Sequence, residues 1–177
     1  MGRPLDGNLY NKLVARIPLF KALTPDELDR IVRISKLVKI KPGTQVVKEG
    51  SQASAMYMLV EGTMRVEKAV PGTTDKTHLA DISAPSVFGE MSLIDGSPRS
   101  ATVTSVSDAV LLVVELTNFQ RLRRSYHPAA FKILRELAFT LCKRLDEKAD
   151  IINQVLENPE GAIARLDDMF QRTGRAR

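Results

Sequence analysis

The residues with the clearest chemistry fall in one segment, Phe88-Gly89-Glu90-Met91-Ser92-Leu93-Ile94-Asp95-Gly96-Ser97-Pro98-Arg99-Ser100-Ala101-Thr102-Val103. Gly89 lets a backbone approach another group closely, and a short helical turn after it would aim free N–H groups outward, which suits an anion. Arg99 follows Pro98 at the mouth of an expected strand, where a guanidinium fork can hold two phosphate oxygens in a bidentate contact. Glu90 sits nine positions earlier. A phosphate repels it, but ribose hydroxyls can donate hydrogen bonds to it. One cation, one carboxylate and a ring of backbone donors describe a site for a small sugar phosphate. The alternative is a plain Glu90–Arg99 pair on an exposed loop, worth about 0–1 kcal/mol.

Three sections of chain must position these groups. Residues 1–35 read as N-terminal helices. Leu9, Leu13 and Ile17 recur at helical spacing until Pro18, and Thr24-Pro25-Asp26-Glu27 opens a second helix with a hydroxyl cap, a proline at the first position and a glutamate at the third. Leu28, Ile31, Val32 and Ile34 give it an apolar face. Residues 36–115 switch to short apolar runs punctuated at Pro42-Gly43, Glu49-Gly50, Glu61-Gly62, Pro71-Gly72 and Asp95-Gly96. The expected strands are Leu37–Ile40, Gln45–Val47, Ala55–Val60, Thr63–Lys68, His78–Ile82, Ser100–Ser105 and Ala109–Val114. With no helical stretch between them, they predict an α+β protein, an antiparallel β jelly-roll barrel flanked by the N-terminal helices and a long C-terminal helix. The segment 88–103 lies inside that barrel section. Residues 116–157 return to helix, with a second capping box expected at Thr117-Asn118-Phe119-Gln120 and a break at His127-Pro128. From Phe131 the apolar positions Leu134, Leu137, Leu141, Leu145, Ile152 and Val155 form one stripe, interrupted by Lys148. Asn158-Pro159-Glu160-Gly161 then reads as a stop, and 158–177 as a tail with a short last helix over Ala162–Gln171.

The 177 residues, 44% hydrophobic and 27% charged, suit one globular domain with modest extras and exclude wholesale disorder. The longest apolar runs, Ala55–Val60 and Ala109–Val114, have six residues each, far short of the roughly 20 that span a bilayer. The opening Met1–Asp6 has no signal core, and the lone Cys142 cannot form an internal disulfide. A soluble cytoplasmic protein is the expectation. The net charge of +5 is mild, and its densest cluster, Arg121, Arg123 and Arg124, reads first as a solvated helix face. The two histidines, His78 and His127, stand 49 positions apart, so no metal site is expected. Cys142 lies within a helical apolar pattern, and no acid–base pair stands out near the segment at 88–103, so the protein is not expected to be an enzyme.

Taken whole, Phe88-Gly89-Glu90 and Pro98-Arg99-Ser100-Ala101-Thr102-Val103 resemble the phosphate-binding cassette of the cyclic nucleotide-binding domain family. The resemblance extends to Pro18-Leu19-Phe20-Lys21-Ala22-Leu23-Thr24-Pro25 and to the glycines at 43, 50 and 62, and covers roughly residues 15–155. It implies that Arg99 holds the cyclic phosphate and Glu90 the ribose 2′-hydroxyl. By the same resemblance Gly89, Met91 and Ser100 supply backbone contacts, and Met64 and Val66 wall the base, unless those two are simply core. Pro85 and Ser92 depart from the family pattern, which bears on loop shape rather than on charged contacts. The expected ligand is cAMP, with cGMP or a cyclic dinucleotide as alternatives.

The resulting expectation is a stand-alone cyclic nucleotide sensor. Ligand would draw in the cassette, helices from Thr117 onward would re-pack about His127-Pro128, and an unidentified partner protein would read the change. The rival is a DNA-binding regulator similar to the catabolite activator protein, but about 20 residues after Val155 are too few for a multi-helix reader, so specific DNA binding is not expected. In the resembling bacterial regulators the long helix pairs with its twin, which makes residues 131–156 the expected face of a homodimer.

Overall fold

The computed structural model describes residues 7–91 and 97–157. Asp95-Gly96, Ser92 and the tail 158–177 lie outside the described residues, as do the side chains of Leu9, Lys148, Ile152 and Val155. The described chain falls into two compact units, one ending at Glu136 and the other beginning at Leu137.

Helix α1 (Gly7–Arg16) ends before Pro18, and Pro18–Phe20 forms one 3-10 turn that buries Leu19 and Phe20. Helix α2 (Pro25–Arg33) starts where the capping pattern places it. The Glu27 amide donates to Thr24 Oγ1 at 3.4 Å, while Glu27 Oε2 accepts from the Thr24 amide at 2.8 Å. Its buried positions, Leu28 and Ile31, are three residues apart and so share one face. Helix α3 (Leu116–Arg124) and helix α4 (Pro128–Glu157) follow the strands. The expected cap at Thr117 is not used. Glu115 is the N-cap residue and caps with no side-chain hydrogen bond, and the Leu116 amide donates to the Ser54 carbonyl at 2.8 Å. Among the described residues, no helix is long and apolar enough to cross a membrane.

Eight strands lie between the helices: β1 (Ser35–Ile40), β2 (Gln45–Val47), β3 (Ala55–Glu61), β4 (Thr63–Ala69), β5 (Lys76–Ser83), β6 (Ser86–Phe88), β7 (Thr102–Ser105) and β8 (Ala109–Glu115). The short β6 was not among the strands expected from sequence, and Ser100 and Ala101 precede β7 rather than opening it. All pairings are antiparallel. They do not close a hydrogen-bonded barrel. One sheet runs β1-β8-β3-β6 and the other β2-β7-β4-β5. The two sheets share a core in which Leu59, Phe88, Ala109 and Leu111 of the first meet Val47, Met64 and Val103 of the second. Each of these Val, Leu, Met and Phe side chains contributes about 1.5–3 kcal/mol when removed from water, and Ala109 less, so the shared interior rather than a continuous ladder joins the sheets. The β3–β4 turn presses on this core at Gly62. Its φ is +96°, and a Cβ there would stand 2.5 Å from the Asp108 carbonyl oxygen and 2.7 Å from the Ala109 Cβ.

Glu27 does a second job. Its Oε2 also pairs with Lys132 Nζ of α4 at 2.8 Å, tying α2 to the first turns of α4. Burial alone would raise the Glu27 pKa, but the hydrogen bonds from Lys132 and Thr24 and the Lys132 charge hold it below the ordinary carboxylate value. A lowered folded-state pKa means that this stabilisation is complete above the unfolded value and is lost as pH falls through the folded one. Glu27→Ala is expected to cost about 1–2 kcal/mol in denaturant unfolding near neutral pH, by loss of both cap and pair. Glu27→Gln keeps the capping acceptor, so its smaller deficit should vanish when the melt is repeated below the lowered pKa.

Candidate functional site

The site is built on strand β3 and the turn that follows β6. Gly89 leaves β6 with φ +73°, in the left-handed region that glycine enters without strain. Arg99 returns beside it and is 6% exposed. A buried guanidinium costs several kcal/mol unless its donors are satisfied, and here two backbone carbonyls do so. Nη1 donates to the Gly89 carbonyl at 3.0 Å, and Nη2 donates to the carbonyl of Ala55 at the start of β3. These bonds occupy only part of a donor fork that also carries further N–H groups. The main chain of Arg99 is clamped as well. Its amide donates to the Ser51 carbonyl at 2.9 Å, and the Gly50 amide donates to its carbonyl at 2.8 Å. Just beyond, the Glu49 amide donates to Thr102 Oγ1 at 3.1 Å.

The segment that sequence singled out is thus brought together in part. Gly89 and Arg99 are joined by a hydrogen bond, and Glu90, next to Gly89 in the chain, is buried to the same degree as Arg99. Met91 is 51% exposed and Ser100 is exposed. Met64 is fully buried in the core between the sheets, and Val66 is half-buried against that core. The loop at Gly50 and Ser51 was not singled out as part of the site, although its turn glycine was visible. Tyr57 was also missed. It lies half-buried on β3, its ring stacks on Phe88 at 5.1 Å with 11° between planes, and the Arg99 Cζ stands 5.6 Å from its centroid. Nothing local in Ala55-Met56-Tyr57 signals this, because the neighbours arrive from β6 and from the segment before β7.

Among the described residues, no group of three His, Cys, Asp or Glu side chains could hold a metal ion. His78 instead meets Asp81 on the exposed β5, Nε2 to Oδ1 at 3.0 Å. His127 Nδ1 accepts the Ala129 amide at 3.3 Å at the start of α4. Cys142 is exposed rather than buried, so its expected place as a small core residue is not where the structure puts it.

The profile described as Cyclic nucleotide-binding domain matches residues 37–126, just over half the chain. A cyclic nucleotide-gated potassium channel of Rhizobium etli is 35% identical over 127 residues, which is 72% of this chain and 34% of the channel. The chain therefore spans about a third of the length of that relative. A Cyclic AMP receptor protein of Thermus thermophilus is 31% identical over 130 residues, covering 73% of this chain and 58% of the receptor. The crystal structure of the Thermus thermophilus Catabolite Activator Protein superposes with a TM-score of 0.64 at 27% identity, covering 77% of this chain and 63% of that one.

Gly89 is the tightest point of the site. A Cβ there would stand 2.6 Å from Arg99 Nη1 on a backbone that L side chains rarely adopt. Gly89→Ala is expected to destabilise the fold by about 1–3 kcal/mol in denaturant unfolding, through strain and displacement of the guanidinium. Gly43→Ala, with an equally positive φ but open space around the new methyl, should cost less.

Proposed function

Because the chain belongs to the cyclic nucleotide-binding domain family, we propose that the Gly89–Arg99 segment binds a cyclic nucleotide and that the protein is a regulatory sensor rather than an enzyme. The observation that carries this reading is the buried, pre-positioned Arg99, held by the Gly89 and Ala55 carbonyls with donors to spare. A guanidinium already fixed in place holds a cyclic phosphate without first being ordered, and preorganisation lowers the cost of binding. Buried Glu90 accepts from the ribose 2′-hydroxyl. Backbone groups of Gly89, Met91 and Ser100 complete the phosphate contacts, and Val66 walls the base. Met64, fully buried, acts through packing beneath that wall. The ligand we favour is cAMP, supported by the receptor-type relative. Binding signals only if ligand contacts differ between two arrangements of the protein, and the surface that changes is offered to a partner protein.

Calorimetric titration with cAMP, cGMP and a cyclic dinucleotide tests the reading. Arg99→Ala should weaken binding by roughly 2–5 kcal/mol, the range for truncating one member of a buried charge pair. Glu90→Ala should cost less and narrow the preference for a ribose over a 2′-deoxyribose ligand. Equal affinity of wild type and Arg99→Ala would remove Arg99 from the phosphate site.

We also propose that a second copy of the chain covers the apolar stripe of α4, where Leu145 stands 69% exposed one turn beyond the half-buried Leu141. Light scattering should report a dimer at tens of micromolar, and Leu145→Glu should shift it toward monomer by placing a charge in the seam. A monomeric wild type, with and without nucleotide, would overturn the pairing.

A further inference from the structure

The guanidinium of Arg99 has a third neighbour besides its two carbonyl acceptors. The ring of Tyr57 faces it, with Cζ 5.6 Å from the centroid, inside the range at which the negative face of an aromatic ring attracts a cation. Tyr57 lies two residues after Ala55 on β3, whose carbonyl takes the Nη2 hydrogen bond. One stretch of one strand therefore supplies both a hydrogen-bond acceptor and a ring face to the same cation. Tyr57 is in turn held by Phe88. It pairs with Phe88 across the β3–β6 ladder and stacks on that ring, and a Cβ on Gly89 would lie 3.4 Å from Tyr57 Cδ2. The tyrosine thus stacks on the residue before the Gly89 turn, lies beside the turn itself and faces the arginine that closes the segment.

We infer that Tyr57 is a positioning residue for ligand recognition: its ring face holds the Arg99 guanidinium in the orientation from which the remaining N–H donors meet the cyclic phosphate. The inference rests on the cyclic nucleotide reading of the segment and names a determinant of affinity outside it. The ring face is what acts, so the hydroxyl is dispensable. An aliphatic side chain of similar bulk would fill the space beside Phe88 but would offer no quadrupole to the cation.

Two readouts separate this inference from the binding reading itself. In calorimetry with cAMP, Tyr57→Leu should bind about five- to thirty-fold more weakly, the loss expected of a desolvated cation–π contact, while Tyr57→Phe recovers most of the affinity. Should the leucine variant not fold by circular dichroism, Tyr57→Met carries the same comparison. The second readout needs no nucleotide. In the ligand-free protein the side-chain protons of Arg99 should show an upfield ring-current shift by NMR, retained in Tyr57→Phe and absent in the aliphatic variant. Wild-type affinity in a folded aliphatic variant, or no ring-current shift at Arg99 in the wild type, overturns the inference. A wild type that shows the shift yet binds none of the nucleotides upholds the positioning of Arg99 by Tyr57 and overturns only its use for that ligand.

Discussion

A guanidinium taken out of water must find acceptors, and the way Arg99 finds them sets the shape of everything around it. Its two acceptors are main-chain carbonyls, one on β3 and one in the turn after β6. A carbonyl can serve only if its strand end comes within hydrogen-bonding reach, so β3 and β6 must pair in the register that places Tyr57 opposite Phe88. The turn must also approach the arginine more closely than any side chain permits, which explains a glycine at 89. On the opposite flank, Gly50 and Ser51 fix the Arg99 main chain through two reciprocal bonds. Side chain and backbone are thus held by different elements, and the orientation of the charge is set before any ligand arrives.

Much of this was legible in sequence because turns leave strong local marks. Gly43, Gly50, Gly62 and Gly72 all adopt positive φ, and the strands between them fall within a residue or two of where the apolar runs place them. The capping box at Thr24 was legible for the same reason: hydroxyl, proline and glutamate stand at fixed offsets and satisfy one another. Glu90 and Arg99 stood out because they share one short segment, and the structure buries both side chains.

What sequence did not show depends on partners distant in the chain. Thr117 has the residue pattern of a cap, yet the helix starts two residues sooner, with Glu115 at the N-cap and the Leu116 amide bonded by the Ser54 carbonyl, 62 positions earlier. Strand β6 has three residues and is defined by its pairing with β3, whereas the equally short β2 is framed by the Pro42-Gly43 and Glu49-Gly50 turns. The division into two sheets is likewise invisible locally, because alternation along a strand reports which face is buried and not where the ladder stops. Tyr57 belongs to the same class. Its environment comes from an aromatic neighbour and a cation, neither adjacent in sequence.

The loop from Gly50 to Ser54 joins these themes. At one end it bonds both main-chain groups of Arg99, and at the other its Ser54 carbonyl takes the first amide of α3. Adjacency of this kind does not by itself transmit anything, since coupling requires an element with two arrangements that both sites bias. The hydrogen-bond inventory narrows where such an element can lie. The bonds of Arg99 to Gly89 and Ala55 hold it to β3 and the turn, and β3 is fixed in its sheet between β8 and β6. A rigid platform cannot serve as the moving part, because packed interiors resist gradual deformation. The loop differs: it has no strand partners of its own between β2 and β3 and is secured by two main-chain bonds to Arg99 at one end and by one to α3 at the other. The loop thus joins the Arg99 main chain, at Gly50 and Ser51, to the first amide of α3, at Ser54, while belonging to neither sheet.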